Sequence, residues 1–424
     1  MKYYKLICII PLIFLLSSCL GEEPNDIAYI TAIGIDKDNS KYNYTIQFAN
    51  PTKISGGAAE EGGSGGNIVE NIVVEAPTLY KAISNAEAII SKDLSVSHAK
   101  IVVISEEVAK EGTKGILDAV ARNNDIRPDI FISVAENSKE YLEEVKPVIE
   151  LNPVKYYQLT YKNKKGDYIP QGDARNFYVS YISGDKDSVL PLAGVAQTNE
   201  SSEETNTNSN DGGNKDEKPK ENLKNKDSKY IKSGFEHGIK NYYAGQAGVE
   251  VKNKSEAIGM AVFKGDKYIG KLGSRDAGIY NILKGKAKGS RATFYSGKGV
   301  PMTVQLEQKI SPTYNIDKER KHVTIHINIE SNLLSEPGED IHANSKHRDT
   351  KNSEMMNKAV EEFLDKTYHK MNVDVLGIKG KLKRFFLTNK AYSEYIKDFS
   401  PDEWNFEVKT DLEMKRTGMT TELE

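Results

Sequence analysis

The chain's chemistry begins with its thiols, of which there are only two among 424 residues, Cys8 and Cys19. Cys19 closes the run Leu16-Ser17-Ser18-Cys19. Before it lie a short basic start, Met1-Lys2-Tyr3-Tyr4-Lys5, and an apolar stretch from Leu6 to Leu16 broken by Pro11. That stretch falls well short of the ~20 apolar residues that carry a helix through the hydrocarbon core. It matches the apolar part of a secretory signal, with small residues at a cleavage site. An ordinary signal needs no cysteine there. The Leu-small-small-Cys ending is similar to a lipobox, which implies cleavage before Cys19 and diacylglycerol on its sulfur. Two acyl chains suffice as an anchor, whereas one gives only marginal binding. Cys8 then leaves with the signal, so the mature chain is expected to hold no disulfide, no thiolate metal ligand and no cysteine nucleophile.

The other candidate groups point away from catalysis. His322 and His326 have the spacing of a zinc helix, but Val323 stands where that motif needs Glu. The local alternation places both on the solvent side of a strand. His342, His347 and His369 form no ligand spacing with them, and His98 reads as a packed, hydrogen-bonded side chain at a strand entrance. The adjacent pairs Glu106-Glu107 and Glu143-Glu144 face different directions, as neighbours on a helix or loop must. The Gly-rich stretch from Gly56 to Gly66 lacks the lysine and helix start that cradle a phosphate. No catalytic residue, metal ligand or cofactor is expected.

Positioning elements follow from periodicity. Residues 27–35 are apolar on both faces, as in a central strand. Asp36 to Lys41 is turn chemistry, and Tyr42, Tyr44, Ile46 and Phe48 alternate with polar residues, predicting a half-buried antiparallel partner. A strand at 68–75 and an amphipathic helix over 78–91 follow. Strands at 99–105 and 129–134 then alternate with helices around Ile116–Val120 and from Ser138 to Val145, which argues for an α/β domain with a partly parallel sheet. Val189–Gln197, Ile258–Phe263 and Tyr268–Leu272 predict a small central sheet. From about 198 to 230 the chain is polar and charged, with Leu223 the only large aliphatic, so it cannot offset its ordering entropy and is expected to be disordered. Further on, Met302–Leu306, Val323–Ile329 and Trp404–Met414 each alternate greasy and wet positions, the pattern of an antiparallel sheet covered on one side. Met355, Met356, Ala359, Val360, Phe363, Leu364 and Tyr368 stripe a covering helix from about 352 to 371.

The chain is thus expected to be mixed α/β and multi-domain. Residues 1–18 are a lipoprotein signal peptide, 19–185 an α/β domain, 186–285 a small central β-rich domain, and 286–424 an α+β domain with antiparallel sheet and long helices. With 58 Lys and Arg against 61 Asp and Glu, there is no electrostatic case for nucleic acid.

Several passages resemble the Ger(x)C family, the lipoprotein C subunit of spore nutrient germinant receptors. They are Asp26-Ile27 through Gly34-Ile35-Asp36, Ser97-His98-Ala99-Lys100 leading into Ile101–Ile104, and Ile116-Leu117-Asp118 followed by Asn124-Asp125-Ile126-Arg127. Gly259 to Gly270 continues the series, and Asp374-Val375-Leu376-Gly377 precedes Trp404. The resemblance implies a non-enzymatic subunit on the outer face of the inner spore membrane, acting with a membrane-spanning A subunit and a transporter-like B subunit. It brings no catalytic residue. Asp374 and Arg127 read as structural, a helix start and a buried ion pair. The stretch Gly56–Gly66 and the insertion after Gln197 depart from the family pattern. A solute-binding lipoprotein of a transporter is the alternative, disfavoured because its two lobes should be alike; a cell-wall hydrolase would need a nucleophile or metal motif.

Overall fold

The computed structural model describes residues 26–49, 69–147, 150, 153–162, 167–196, 234–237, 241–246, 253–295, 301–335 and 345–416. The signal segment, Cys19, Gly56–Gly66 and the 198–230 insertion lie outside these residues. The architecture is mixed α/β, built on two sheets.

In chain order the strands are β1 (Ile27–Asp38), β2 (Lys41–Ala49), β3 (Val69–Glu75), β4 (Asp93–Ser95), β5 (Ile101–Ser105), β6 (Phe131–Ala135), β7 (Val189–Val195), β8 (Gly234–His237), β9 (Ser255–Lys264) and β10 (Lys267–Leu272). All but β8 belong to the first sheet, ordered β10-β9-β7-β6-β5-β1-β2-β3 with β4 beside β1. The inner strands β7, β6, β5 and β1 run parallel, flanked by antiparallel pairs. Six helices serve it: α1 (Leu79–Ile90), α2 (Glu106–Glu111), α3 (Lys114–Arg122), α4 (Ser138–Glu143), α5 (Pro153–Lys162) and α6 (Ala174–Ser183). α1, α2, α3 and α6 bury their apolar stripes with Ile33, Ile35, Val102 and Ile104 on one face. Tyr141 and Leu142 of α4, with Tyr157 and Tyr161 of α5, pack on Ala32, Ile101 and Val103 on the other. That two-faced cover explains why β5 reads as a continuous apolar run.

The second sheet holds β8 and β11 (Lys288–Tyr295), β12 (Pro301–Glu307), β13 (Thr313–Asp317), β14 (His322–Ser335) and β15 (Asn405–Arg416), in order β13-β14-β12-β11-β8 with β15 beside β14. Its greasy face carries Val304, Leu306, Val323, Ile325 and Ile327. Covering it are α7 (Ser274–Leu283), α8 (Ser345–Leu364), α9 (Ile378–Leu382) and α10 (Asn389–Tyr395). Of the expected stripe, Met356, Ala359, Val360, Phe363, Leu364 and Tyr368 are buried; a π-helical turn over Asp365–Lys370 carries the last.

Several expectations change. The strands at 189–195, 255–264 and 267–272 form no sheet of their own: they extend the first sheet past β6, while α7 joins the second core. The connection back from α6 sets β7 parallel to β6, and the β9–β10 hairpin adds at that edge. β2 is covered on both faces rather than half-buried, because α4 and α5 lie over Thr45 and Gln47, both fully buried. Gln47 is satisfied there. Its amide donates to the Leu142 carbonyl (3.2 Å), and its oxygen accepts from the Tyr157 hydroxyl (2.8 Å) and Thr31 (3.2 Å). The β1–β2 turn narrows to Asn39-Ser40, both at positive φ, with strand continuing to Asp38. Finally, β15 pairs parallel to β14, because α8 and the helices after it carry the chain back to the starting end of that strand.

Candidate functional site

The residues singled out from sequence resolve into structural roles. His322 and His326 lie on the half-exposed face of β14, with His322 4.0 Å from Glu407. Among the described residues, no three His, Cys, Asp or Glu side chains come together as a metal site. His98 is exposed, hydrogen-bonded to Ser97 (3.0 Å) and edge-on to the Tyr29 ring. The Arg127 pair differs from expectation. Arg127 meets Asp129 at 3.0 Å, but both side chains are 62% exposed, since the pair sits on the loop entering β6 rather than under it. Glu106 reaches Lys110 and Lys271, while Glu143 and Glu144 pair with Lys139 and Lys146.

The passages behind the resemblance acquire reasons. Asp36, at the end of β1, accepts from the Ser138 amide (2.8 Å) and hydroxyl (2.6 Å) and the Lys139 amide (3.0 Å), so it caps α4 from another strand. Gly34 faces the same helix: a Cβ there would stand 2.7 Å from the Ser138 oxygen. Gly259 holds φ +87° in β9, and its missing Cβ would fall 2.6 Å from the Leu272 carbonyl. Asp374 is the helix start that its sequence suggested. Its carboxylate accepts from the Ile378 (2.8 Å) and Lys379 (2.7 Å) amides and from the Tyr368 hydroxyl. Burial raises its pKa against those hydrogen bonds.

Two of these passages converge. A crevice of about 220 Å³ at the entering ends of β5 and β6 is lined by Lys100, Arg127, Asp129, Gln158, Lys162 and Asp173. Beside it, between α3 and α6, a more apolar groove of about 350 Å³ is lined by Leu117, Val120, Ile126, Pro128, Ala174 and Tyr178.

The other notable place is the junction of the two halves. Asp187 accepts from the Asp374 amide (2.9 Å) and donates its own amide to the Asp374 carbonyl (3.0 Å), while the Gly380 amide reaches Asp185 (3.0 Å). Lysines gather around this seam. Lys284 and Lys381 both donate to the Leu376 carbonyl, at 3.3 and 3.0 Å, and Lys286 reaches Gln171 at 2.5 Å. Burial pushes Lys284 down to about 7, and the charges of Lys186 and Lys381 push the same way. Lys186, Lys286 and Lys381 are lowered by burial as well. Sequence reading missed this cluster, because its members are scattered from residue 186 to 381 and only the fold assembles them. Such a seam fixes the relative position of the two sheets.

Comparison with known proteins places the fold in a class. A family described as the spore germination protein N-terminal domain matches residues 21–195, and one described as spore germination B3/GerAC like, C-terminal, matches 258–418. Together they take in every strand but β8 and the first residues of β9, and the chain belongs to the Ger(x)C family of spore germination proteins. Among its relatives, spore germination protein KC of Bacillus subtilis (strain 168) is 32% identical over 140 residues, 31% of this chain and 34% of its own. The putative spore germination protein YfkR of the same strain is 27% identical over 132 residues, 30% and 34% respectively. The chain thus spans about a third of the length of these curated relatives. The crystal structure of the GerBC protein covers 90% of this chain and 96% of its own, with 13% identity and a TM-score of 0.48.

Proposed function

We propose that this protein is a lipid-anchored, non-enzymatic subunit of a spore germinant receptor, needed to assemble the receptor or to signal within it. The observation that carries the reading is the match of both family domains, in order, across the two sheets. Its partners are the membrane-spanning A and B receptor subunits, and its place is the outer face of the inner spore membrane. The anchor is diacylglycerol on Cys19, supported by the Leu16-Ser17-Ser18-Cys19 ending. Among the described residues no helix is long and apolar enough to cross a membrane.

Deleting the gene in a strain stripped of redundant receptors is expected to leave vegetative growth intact and to abolish germination with the cognate nutrient. A Cys19→Ala copy should restore it poorly and lack the mass of the acyl chains. Normal germination of the deletion strain with every nutrient would contradict the receptor role. An unmodified Cys19 in the native protein would contradict the anchor.

A further inference from the structure

Between Asp374 and Glu394 the chain carries Lys379, Lys381, Lys383, Arg384 and Lys390 and no acidic residue. The segment joins α9 to α10 and presents two apolar side chains to solvent: Leu387 is 105% exposed and Phe385 40%. Exposed apolar residues are ordinary when they lie singly, but this pair is flanked along the chain by Lys383, Arg384 and Lys390. It is also held in place. Phe386, between them, turns inward against Tyr392 and Tyr395, with ring centroids 5.9 and 5.1 Å away. Thr388 caps α10 through the Ala391 amide (3.2 Å), and Arg384 donates to the Tyr314 carbonyl (3.2 Å). The tip therefore does not fold its apolar groups back onto the body.

Lys381 donates to the Leu376 carbonyl and Arg384 to that of Tyr314, but neither contact neutralises their charge. Among the described residues no carboxylate forms an ion pair with any of the five. Lys318 and Arg320 on the neighbouring turn do have such partners, Glu319 and Asp317. An apolar tip held in place and flanked by Lys383, Arg384 and Lys390, none paired with a carboxylate, matches the chemistry of an anionic bilayer surface, where aliphatic and aromatic groups enter the headgroup boundary and basic residues meet phosphate.

We propose that the α9–α10 segment is a second membrane contact, with Leu387 and Phe385 entering the interface of an anionic lipid bilayer and Lys383, Arg384 and Lys390 meeting its headgroups. A tether at the N-terminus leaves the body free to tumble, and this contact would give it an orientation. The proposal takes its setting from the anchored receptor subunit above, but its test does not depend on that reading.

Every described element lies between Asp26 and Arg416, so a chain starting at position 19 with Cys19→Ser keeps both sheets and carries no lipid. This protein is mixed with vesicles of phosphatidylcholine alone or with one-third phosphatidylglycerol, and sedimented. It is expected to bind the anionic vesicles, to be released by high salt, and to leave the neutral ones largely free. Leu387→Asp should weaken binding roughly tenfold or more, and the pair Lys383→Glu, Arg384→Glu should remove the preference for anionic lipid. Because Leu387 is fully exposed, Leu387→Asp should leave the melting temperature unchanged. Leu387→Trp supplies a readout by gain, since the chain's single tryptophan, Trp404, is buried; its emission should shift to the blue on anionic vesicles alone. Absence of binding to anionic vesicles, or equal binding by wild type and variants with no Trp shift, overturns the proposal. So does an outcome in which Leu387→Asp releases a protein partner while leaving vesicle binding unchanged.

Discussion

Lys284 is a buried lysine whose surroundings disfavour its charge. It lies at the seam with its ammonium 3.3 Å from the Leu376 carbonyl and other lysines around it. The folded state releases its proton near pH 7, whereas the unfolded chain holds it to about 10.5. For a cation lowered in this way, the stability difference is present in full above the unfolded value and is lost as pH falls toward 7. Relative to Lys284→Met, wild type should therefore gain up to about 1.4 kcal/mol per pH unit between pH 7 and 9. Urea midpoints of the two proteins at both pH values measure this. A constant gap between them would show that Lys284 keeps an ordinary pKa.

At the scale of elements, the free edge of β15 shows how a sheet is closed without another strand. Asn357, Ser353 and Asp349, four residues apart along one face of α8, accept the backbone amides of Thr410 (2.9 Å), Leu412 (3.1 Å) and Met414 (3.4 Å). Four helical residues rise about 6 Å and two strand residues about 6.7 Å, so the two repeats stay nearly in step over three contacts. Along this half of β15 those three amides are withheld from a second chain. Ser353→Ala and Asn357→Ala should each cost about 1 kcal/mol, and hydrogen exchange at the Leu412 and Thr410 amides should accelerate correspondingly. Unchanged exchange at both would mean that the helix side chains do not close the edge.

This ladder was not legible in the sequence, where Asp349, Ser353 and Asn357 look like the ordinary wet face of a helix. What was legible was alternation. Val323, Ile325, Ile327 and Ile329 face the core as their spacing required, and β5 is buried on both faces as its unbroken apolar run required. Strand direction was not, since β15 carries the same alternation whether parallel or antiparallel, and only its connection decides. α5 escaped because its buried side chains are tyrosines, Tyr157 and Tyr161, which bring hydroxyls into the core and pair them with Gln47 and Tyr141. Asp374 was readable as a helix start because capping is local. The lysines around it were not, being assembled from distant segments.

For the molecule as a whole, β9 is the decisive strand. Its Met260 and Val262 belong to the core under the second sheet, while Ala261 and Phe263 belong to the core of the first. With the Asp187–Asp374 hydrogen bonds beside it, this strand welds the two halves, so they should unfold together. Phe263→Ala, a first-core change costing about 3–5 kcal/mol, should shift the unfolding midpoint read by Trp404, in the second half, as much as that read by far-ultraviolet circular dichroism. Two separated transitions would contradict a shared strand. Under the proposed receptor role, a chain welded this way presents its surfaces to partners as one body.

The most direct test of that role is a crosslinking pull-down from spore inner membranes with a tagged copy and a Cys19→Ala control. Recovery of a polytopic membrane protein together with a second membrane-spanning subunit, reduced in the control, is the result the receptor account predicts. Recovery of an ATP-driven permease, or of no membrane protein at all, would contradict it.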